Sequence, residues 1–237
     1  MSQKPAILIW DIETKYTLAR VWNTGKQYVS PEQIVDGQVP DVICIAWKWL
    51  GKKGVHSLNW GLKAQNSKPM IEEFTRVIES ADLAIAHYGS QFDCKHLNTQ
   101  RLLHKLPPVN WPSTDDSLSL FKSKFYMPSF KLDYLAKILT GTGKAPMGFQ
   151  DWVNVVEKKD ADALEKMERY CRRDVLKLAQ VVAKALPFFK LKSPKLPCPD
   201  CGSRQTQSKG YTNKGGTKYQ KRQCVDCGTH FKVKTAI

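Results

Sequence analysis

The sequence predicts an α/β domain, a mixed five-stranded sheet flanked by helices, followed by a small C-terminal domain built on two cysteine pairs. Strand-like segments come first in succession and then alternate with helical ones, the order that builds a mixed sheet. A stretch with four prolines, "LPFFKLKSPKLPCP" at 186–199, interrupts that alternation. Beyond it lie two C-x-x-C pairs, in "CPDCG" (198–202) and "CVDCG" (224–228). The expected divisions are therefore 1–187, a linker at 188–197, and 198–237. A chain of 237 residues suits one medium domain with a small appendage.

The elements follow in order. "AILIWDIETK" (6–15) begins with a continuous apolar run, Ala6 to Trp10, as a fully buried strand does. "VICIAWKWL" (42–50) and "GVHSLNW" (54–60) read as two further strands joined by a Gly-Lys-Lys-Gly turn. "PMIEEFTRVIES" (69–80) has helical periodicity, with Pro69 at the start where a missing N–H is harmless. "DLAIAHYG" (82–89) is a fourth strand, and "SQFDCKHLNTQRLL" (90–103) a helix that Ser90 opens. A short fifth strand falls around "PVNWPSTDD" (108–116). Helices then cover "FKLDYLAKIL", "FQDWVNVVEK" and the long segment 160–186, whose apolar stripe runs Leu164, Met167, Cys171, Val175, Leu178 and Val182. There is no internal repeat and no low-complexity tract.

Composition narrows the function classes. A hydrophobic content of 42% is that of a globular protein, not a disordered one. The start, "MSQKPAILIWDIE", lacks a basic region followed by a sustained apolar one, so no signal peptide is expected. No run of eighteen apolar residues occurs, which argues against a membrane span. The expected location is the cytoplasm, or the nucleoid, with reduced thiols. The charge is uneven: residues 188–237 carry 11 Lys and Arg against 2 acids, and the other 187 residues carry 26 against 20. A concentrated basic tail is the footprint of a nucleic-acid contact, although a solvated tail has the same composition.

Three acidic motifs stand out. In an extended strand alternate side chains point the same way, so Asp11 and Glu13 share a face about 7 Å apart. Two like charges at the end of a buried strand repel and lose solvation. A basic side chain or a metal ion is required between them, unless the strand simply runs into solvent. Asp93, in "HYGSQFD", lies at the first turn of a helix. It serves there as a capping-box acid with Ser90, or joins Asp11 and Glu13 if the first and fourth strands are neighbours. Tyr170 and Asp174, in "RYCRRDVLKL", are four apart and project from one helix face at the edge of the apolar stripe. An aspartate paired with Arg172 or Arg173 is the plainer alternative.

D-x-E on a first strand, F-D opening the helix after a fourth, and Y-x-x-x-D on a late helix occur here in that order. This resembles the DEDD superfamily of 3′–5′ exonucleases, on the ribonuclease H-like fold. Tyr170 points to the DEDDy branch, since no histidine lies between His104 and His230 to serve the other. "DDSLSLFKSKFYMPSFKLDYLAKIL" (115–139) is similar to the segment that follows the family's second motif. The resemblance spans residues 6 to about 186 and extends to stand-alone predicted exonucleases and family B polymerase proofreading domains. One departure is visible: members often read H-N-G-x-x-F-D, and this chain has Tyr88 in place of that asparagine. Substrate preference is thereby left open.

The resemblance implies hydrolysis of phosphodiester bonds from a 3′ end by two metal ions. All-oxygen carboxylate ligands favour Mg²⁺ or Mn²⁺, and four carboxylates balance two dications. By resemblance Asp11 bridges the metals, Glu13 and Asp174 complete the water-activating site, and Asp93 supports the second ion through water. Tyr170, a phenol with an ordinary pKa near 10, stays protonated and orients the attacking water. Single-stranded DNA is the favoured substrate. An exoribonuclease and a non-catalytic nucleic-acid-binding scaffold are the alternatives. No polymerase segment is present, so proofreading would act in trans, with a replication or repair protein as partner; no membrane partner is expected.

The tail carries the second strong motif. Cys198, Cys201, Cys224 and Cys227 have the spacing of a closed tetrahedral site for one structural Zn²⁺, which would hold a unit too small to fold on a core alone. Redox-active pairs and disulfides are the alternative, and His230 could stand in as a ligand. The basic stretch between the pairs carries Lys209, Lys214, Lys218, Lys221 and Arg222 as candidate nucleic-acid contacts, on a hairpin turning at 213–216. It resembles the zinc ribbons of insertion-sequence transposition proteins and other DNA-binding proteins. Cys44, Cys94 and Cys171 read as buried apolar residues.

Overall fold

A computed structural model describes residues 5–234 apart from 145, 193 and 194. Strand β1 (Ile7–Thr14) lies at the centre of a five-stranded mixed sheet. It pairs antiparallel with β2 (Val42–Trp49), which pairs antiparallel with β3 (His56–Asn59). On its other side β1 pairs parallel with β4 (Leu83–Ala86), and β4 pairs parallel with β5 (Ser113–Asp116). The order is β3-β2-β1-β4-β5, so the first and fourth strands are neighbours.

The pleat of β1 sorts its residues between two layers. Trp10 lies opposite Trp47 of β2, and both rings meet Phe74 of helix α1 (Lys68–Glu79), with centroids 5.2 and 5.6 Å away. Glu13 lies opposite Cys44, on the face covered by the long helix α6 (Ala161–Ala185). The apolar stripe of α6 is buried along its length, from Leu164 through Met167, Cys171, Val175 and Leu178 to Val182. Asp11 and Glu13 therefore leave the sheet under this helix, while Trp10 and Ile12 anchor the strand in the opposite layer.

Two local departures from the sequence expectation concern the turn after β4. Helix α2 (Asp93–Leu103) starts at Asp93 rather than Ser90, and its N-cap is Phe92. Ser90 makes no capping box: its hydroxyl donates to Asp116 Oδ2 at 2.8 Å. Asp116 instead caps a helix the sequence did not announce, α3 (Ser117–Lys124), by accepting from the N–H groups of Leu118 and Ser119. Only Ser117 and Phe121 of α3 are buried, so its amphipathic signal is weak. Helices α4 (Leu132–Thr140) and α5 (Phe149–Val156) pack on α6.

The C-terminal unit is a three-stranded antiparallel meander, β6 (Thr206–Lys214), β7 (Thr217–Cys224) and β8 (His230–Lys234), with the β6–β7 turn at Gly215 and Gly216. The segment before it lies against the exposed edge of the large sheet. Lys192 N–H donates to Asp115 Oδ2 at 2.8 Å and its ammonium to Thr114 O at 2.6 Å, which covers an edge strand that would otherwise be open.

Candidate active site

The end of β1 and the turn after β4 are stitched together by one carboxylate. Asp93 Oδ1 accepts the backbone N–H of Ile12 at 3.2 Å, the residue between Asp11 and Glu13. Asp93 is 2% exposed and Asp174 1%, whereas Asp11 and Glu13 are half-buried. Asp174 comes from the same turn of α6 as Cys171, whose thiol donates to Asp11 O at 3.5 Å. The structure thus brings Asp11, Glu13, Asp93 and Asp174 to one place from three elements. Tyr170 stands beside them, half-buried, with its ring edge-on to Trp152 at 6.4 Å. Trp152 Nε1 in turn donates to Thr14 O at 3.1 Å, tying α5 to the end of β1.

The electrostatics follow from this crowding. Burial pushes the Asp11 carboxyl well above its ordinary range, and the charges of Asp93, Glu13 and Asp174 push it further. Glu13 rises to about 8, mainly by burial and then by Asp174. Asp93 rises to about 7 by burial, although its backbone hydrogen bonds oppose the shift. Asp174 is raised by burial too, against the pull of Lys144. Without additional positive charge the cluster holds protons at neutral pH.

The sequence missed the cation that faces this cluster. Lys144 forms an ion pair with Asp174 Oδ2 and places its ammonium 5.0 Å from the centre of the Tyr170 ring. Burial would lower the Lys144 pKa, but Asp174 holds it above its ordinary value. Asp174 therefore pairs with neither Arg172 nor Arg173, and Arg172 instead donates to Ser57 Oγ at 2.9 Å. Lys144 is fixed from behind, as Asp133 Oδ1 accepts its backbone N–H at 2.8 Å. Gly143 permits that approach, since a Cβ there would lie 2.4 Å from the same Asp133 oxygen. No motif spacing announces a lysine in the loop between α4 and α5, so only tertiary structure reveals it.

A cleft of about 620 Å³ opens beside Lys144, lined among others by His87, Tyr88, Met127, Phe130 and Lys131. Tyr88 adopts a left-handed backbone, φ 67°, which is rare for a bulky residue. Asp116 holds it there by accepting the Tyr88 N–H at 3.1 Å and the Ser90 N–H at 3.3 Å. Gly89 lies so close to β4 that a Cβ would sit 2.4 Å from that of Ala86. This turn aims the half-exposed Tyr88 ring at the cleft.

The donor set fits hard divalent cations. The Asp174 carboxylate, 1% exposed, faces the Lys144 ammonium and the Tyr170 hydroxyl. Four carboxylates converge where that one ammonium supplies the facing positive charge. The Asp11 and Glu13 carboxylates and the Cys171 sulfur lie within 4.8 Å of one another. Burial raises the Cys171 thiol well above its ordinary range, so it stays protonated and acts as an apolar filler.

A family model of the RNase_H superfamily matches residues 36–186. The chain belongs to the RNase_H superfamily. The matched region includes Asp93, Lys144, Tyr170 and Asp174, while Asp11 and Glu13 precede it. No curated protein matches the chain. Among solved structures it is similar to the family B DNA polymerase of the hyperthermophilic archaeon Pyrobaculum calidifontis, with TM-score 0.57 and 15% identity over 78% of this chain. The likeness is one of fold, and the chain spans 25% of that polymerase's length. Superfamily membership brings a nuclease fold, of a kind that uses divalent metals.

The four cysteines of the C-terminal unit also converge. Their sulfurs lie within 4.8 Å of one another, with Cys198 3.6 Å from Cys227 and Cys201 3.5 Å from Cys224. A tetrahedral site with Zn–S bonds of about 2.3 Å has sulfur–sulfur edges of about 3.8 Å, so the set is of the right size. Each pair forms a knuckle: Gly202 donates to Cys198 O at 3.0 Å and Gly228 to Cys224 O at 3.1 Å, with φ of 74° and 78°. Contacts with Thr229 lower the Cys227 thiol to about 6, so a thiolate is ready for a metal. The candidate nucleic-acid contacts divide. Lys209, Lys214 and Lys221 are exposed, Lys218 lies over the Tyr211 ring at 4.7 Å, and the Arg222 guanidinium bonds Thr206 Oγ1 at 2.6 Å.

Proposed function

We propose that the chain is a metal-dependent 3′–5′ exonuclease of the DEDDy type that degrades single-stranded DNA. A nuclease unit at 1–187 is joined through 188–197 to a zinc ribbon at 198–237. The observation that carries this reading is the convergence of four carboxylates, two of them buried, around a helix edge that also bears Tyr170. Asp11, Glu13, Asp93 and Asp174 are the residues that would hold two Mg²⁺ or Mn²⁺ ions. When bound, such ions lower the pKa of water and stabilise charge on the leaving oxygen.

The chain's own groups do the remaining work. Burial raises the Tyr170 phenol above its ordinary pKa, so the hydroxyl stays protonated and directs a lone pair of the attacking water toward phosphorus. Lys144 lies between the acidic cluster and the cleft, where its ammonium can meet a phosphate oxygen of the bound strand. Tyr88, held by Asp116 at the rim of the cleft, offers a ring for a base to stack on. The cysteine knuckles hold one Zn²⁺ and fold the ribbon.

The test is incubation of end-labelled single-stranded DNA and RNA with Mg²⁺ or Mn²⁺. A ladder shortening one nucleotide at a time from the 3′ end is expected, faster on DNA. Internal cuts, or no cleavage with either metal, would overturn the proposal.

A further inference from the structure

The ribbon is seated on the end of the large sheet opposite the acidic cluster. Asn110, three residues before β5, donates through Nδ2 to Gly202 O at 3.3 Å and accepts the Arg204 N–H on Oδ1 at 2.9 Å. The Arg204 guanidinium donates to Glu79 O, at the last residue of α1, at 2.6 Å. A carbonyl at a helix C-terminus is a favourable partner for this cation. The Glu79 carboxylate closes the set by accepting the Asn110 N–H at 2.7 Å. Strands β1, β4 and β5 run parallel, and Ile7, Leu83 and Ser113 lie level at their starts. Asp11 is four residues further along β1, about 13 Å away, and Asp93 follows the far end of β4.

The ribbon's two faces differ. Cross-strand partners share a face, so Lys221 and Lys232 stand directly opposite one another, with the Tyr219–Lys234 pair next along that face and the Thr217–Lys214 pair beyond it. Along β8, His230, Lys232 and Lys234 are exposed and alternate with half-buried Phe231 and Val233. No acidic residue occurs on β6, β7 or β8, and Lys214, Lys221, Lys232 and Lys234 have no ion pair among the described residues. Like charges directly opposite destabilise a sheet, so this face is arranged for an anionic partner. Lys218 and Arg222 belong to the other face.

We infer that the Lys214–Lys221–Lys232–Lys234 face is a second nucleic-acid site, held at a fixed distance from the acidic cluster by the Arg204–Asn110–Glu79 contact. It grips the phosphates of a strand whose 3′ end lies in the active site. This rests on the nuclease reading above and adds a length requirement to it. At 3.4 Å per nucleotide of stacked strand, about four nucleotides reach only the level of Ser113, and the ribbon lies beyond. A strand of about four nucleotides therefore engages the active site alone, and one of about fifteen engages both sites.

The experiment measures Kd across a salt series, for four- and fifteen-nucleotide DNA, in a cleavage-blocked Asp174→Asn protein with Zn²⁺ retained. The Lys221→Gln/Lys232→Gln pair should lower the salt slope for the fifteen-mer by about 1.4, at about 0.7 per lost phosphate contact, and leave that for the four-mer unchanged. Arg204→Ala, with zinc content intact, should weaken the fifteen-mer several-fold and spare the four-mer. Equal slopes for the parent and the lysine pair on the fifteen-mer would reject the ribbon face. Loss on both lengths would reject its distance from the active site. Failure of the parent to bind either strand would instead reject the nuclease reading itself.

Discussion

At the scale of single residues, the acidic cluster separates groups that hold charge from groups that hold shape. Asp11 leaves a strand whose fixed points are Trp10 and Ile12, so Asp11→Ala should fold normally and lose hydrolysis on the order of a thousandfold. Wild-type-like turnover in the purified variant would remove Asp11 from the chemistry. Tyr170→Phe keeps the ring against Trp152 and deletes only the hydroxyl. A rate loss on the order of a hundredfold, with little change in strand affinity, is expected in single-turnover kinetics. An unchanged rate would return Tyr170 to a packing role. Lys144 gives the opposite kind of test. Lys144→Met leaves the Asp174 carboxylate, 1% exposed, without its cation. The metal-free variant should lose on the order of 2 kcal/mol, less than a fully buried pair because Lys144 is partly solvated, and Tm should fall by about 5 °C. Mn²⁺ should restore most of that loss, because a dication replaces the ammonium. A Tm equal to the parent's without metal would show that the ion pair carries no stability.

At the scale of elements, the turn between β4 and α2 is where local signals and tertiary structure disagree. Ser90 followed three residues later by Asp93 has the form of a capping box, yet both side chains are drawn elsewhere, Ser90 to Asp116 and Asp93 to Ile12 N–H. The strained Tyr88 backbone and the close approach of Gly89 to Ala86 result from this. Gly89→Ala must move the turn by several tenths of an ångström, costing about 1–3 kcal/mol and displacing Asp93. A lower Tm together with weaker Mn²⁺ binding is expected. A lower Tm with metal affinity intact would uncouple the turn from the cluster. Strands β1, β2 and β4 and helix α6 were legible because their apolar runs are continuous or strictly periodic, whereas β5, Ser-Thr-Asp-Asp, could be placed only within 108–116. Helix α3, with two buried residues, and the short β8 carry too little pattern to announce themselves. The carboxylates were legible because their motifs fall on identifiable elements. Lys144 and Asp116 were not, because each acts across the sequence on a partner about thirty residues away, Asp174 and Tyr88. The seating of the ribbon through Arg204, ninety-four residues from Asn110, is invisible to any local pattern.

At the scale of the whole molecule, the cluster makes stability depend on pH and metal together. Glu13 rises from 4.5 to about 8 and Asp93 from 3.8 to about 7 on folding, so the folded protein binds protons more tightly than the unfolded chain. The stability these groups contribute is fully present below pH 4 and is lost as pH rises through 7 and 8. Between pH 5 and 8.5 the metal-free protein should therefore become less stable by several kcal/mol, since each tenfold gain in proton affinity on folding is worth about 1.36 kcal/mol. Lys144 is raised as well and so shifts in the same sense, but it stays charged across this window and adds nothing to the slope here. Divalent cations compete with the same protons, and their binding should tighten as pH rises. Saturating Mg²⁺ or Mn²⁺ should hence raise Tm more at pH 8.5 than at pH 6 and flatten the pH profile. The comparison is thermal unfolding at several pH values, with EDTA excluded so that the Zn²⁺ proposed for the cysteine site is not stripped and the metal-free arm prepared by omission alone. A metal-free Tm that does not fall toward pH 8.5, or an Mg²⁺ effect that is the same at both ends, would show that the four carboxylates are not electrostatically strained. The acidic cluster would then lose its claim to be a metal centre, whatever its resemblance in sequence.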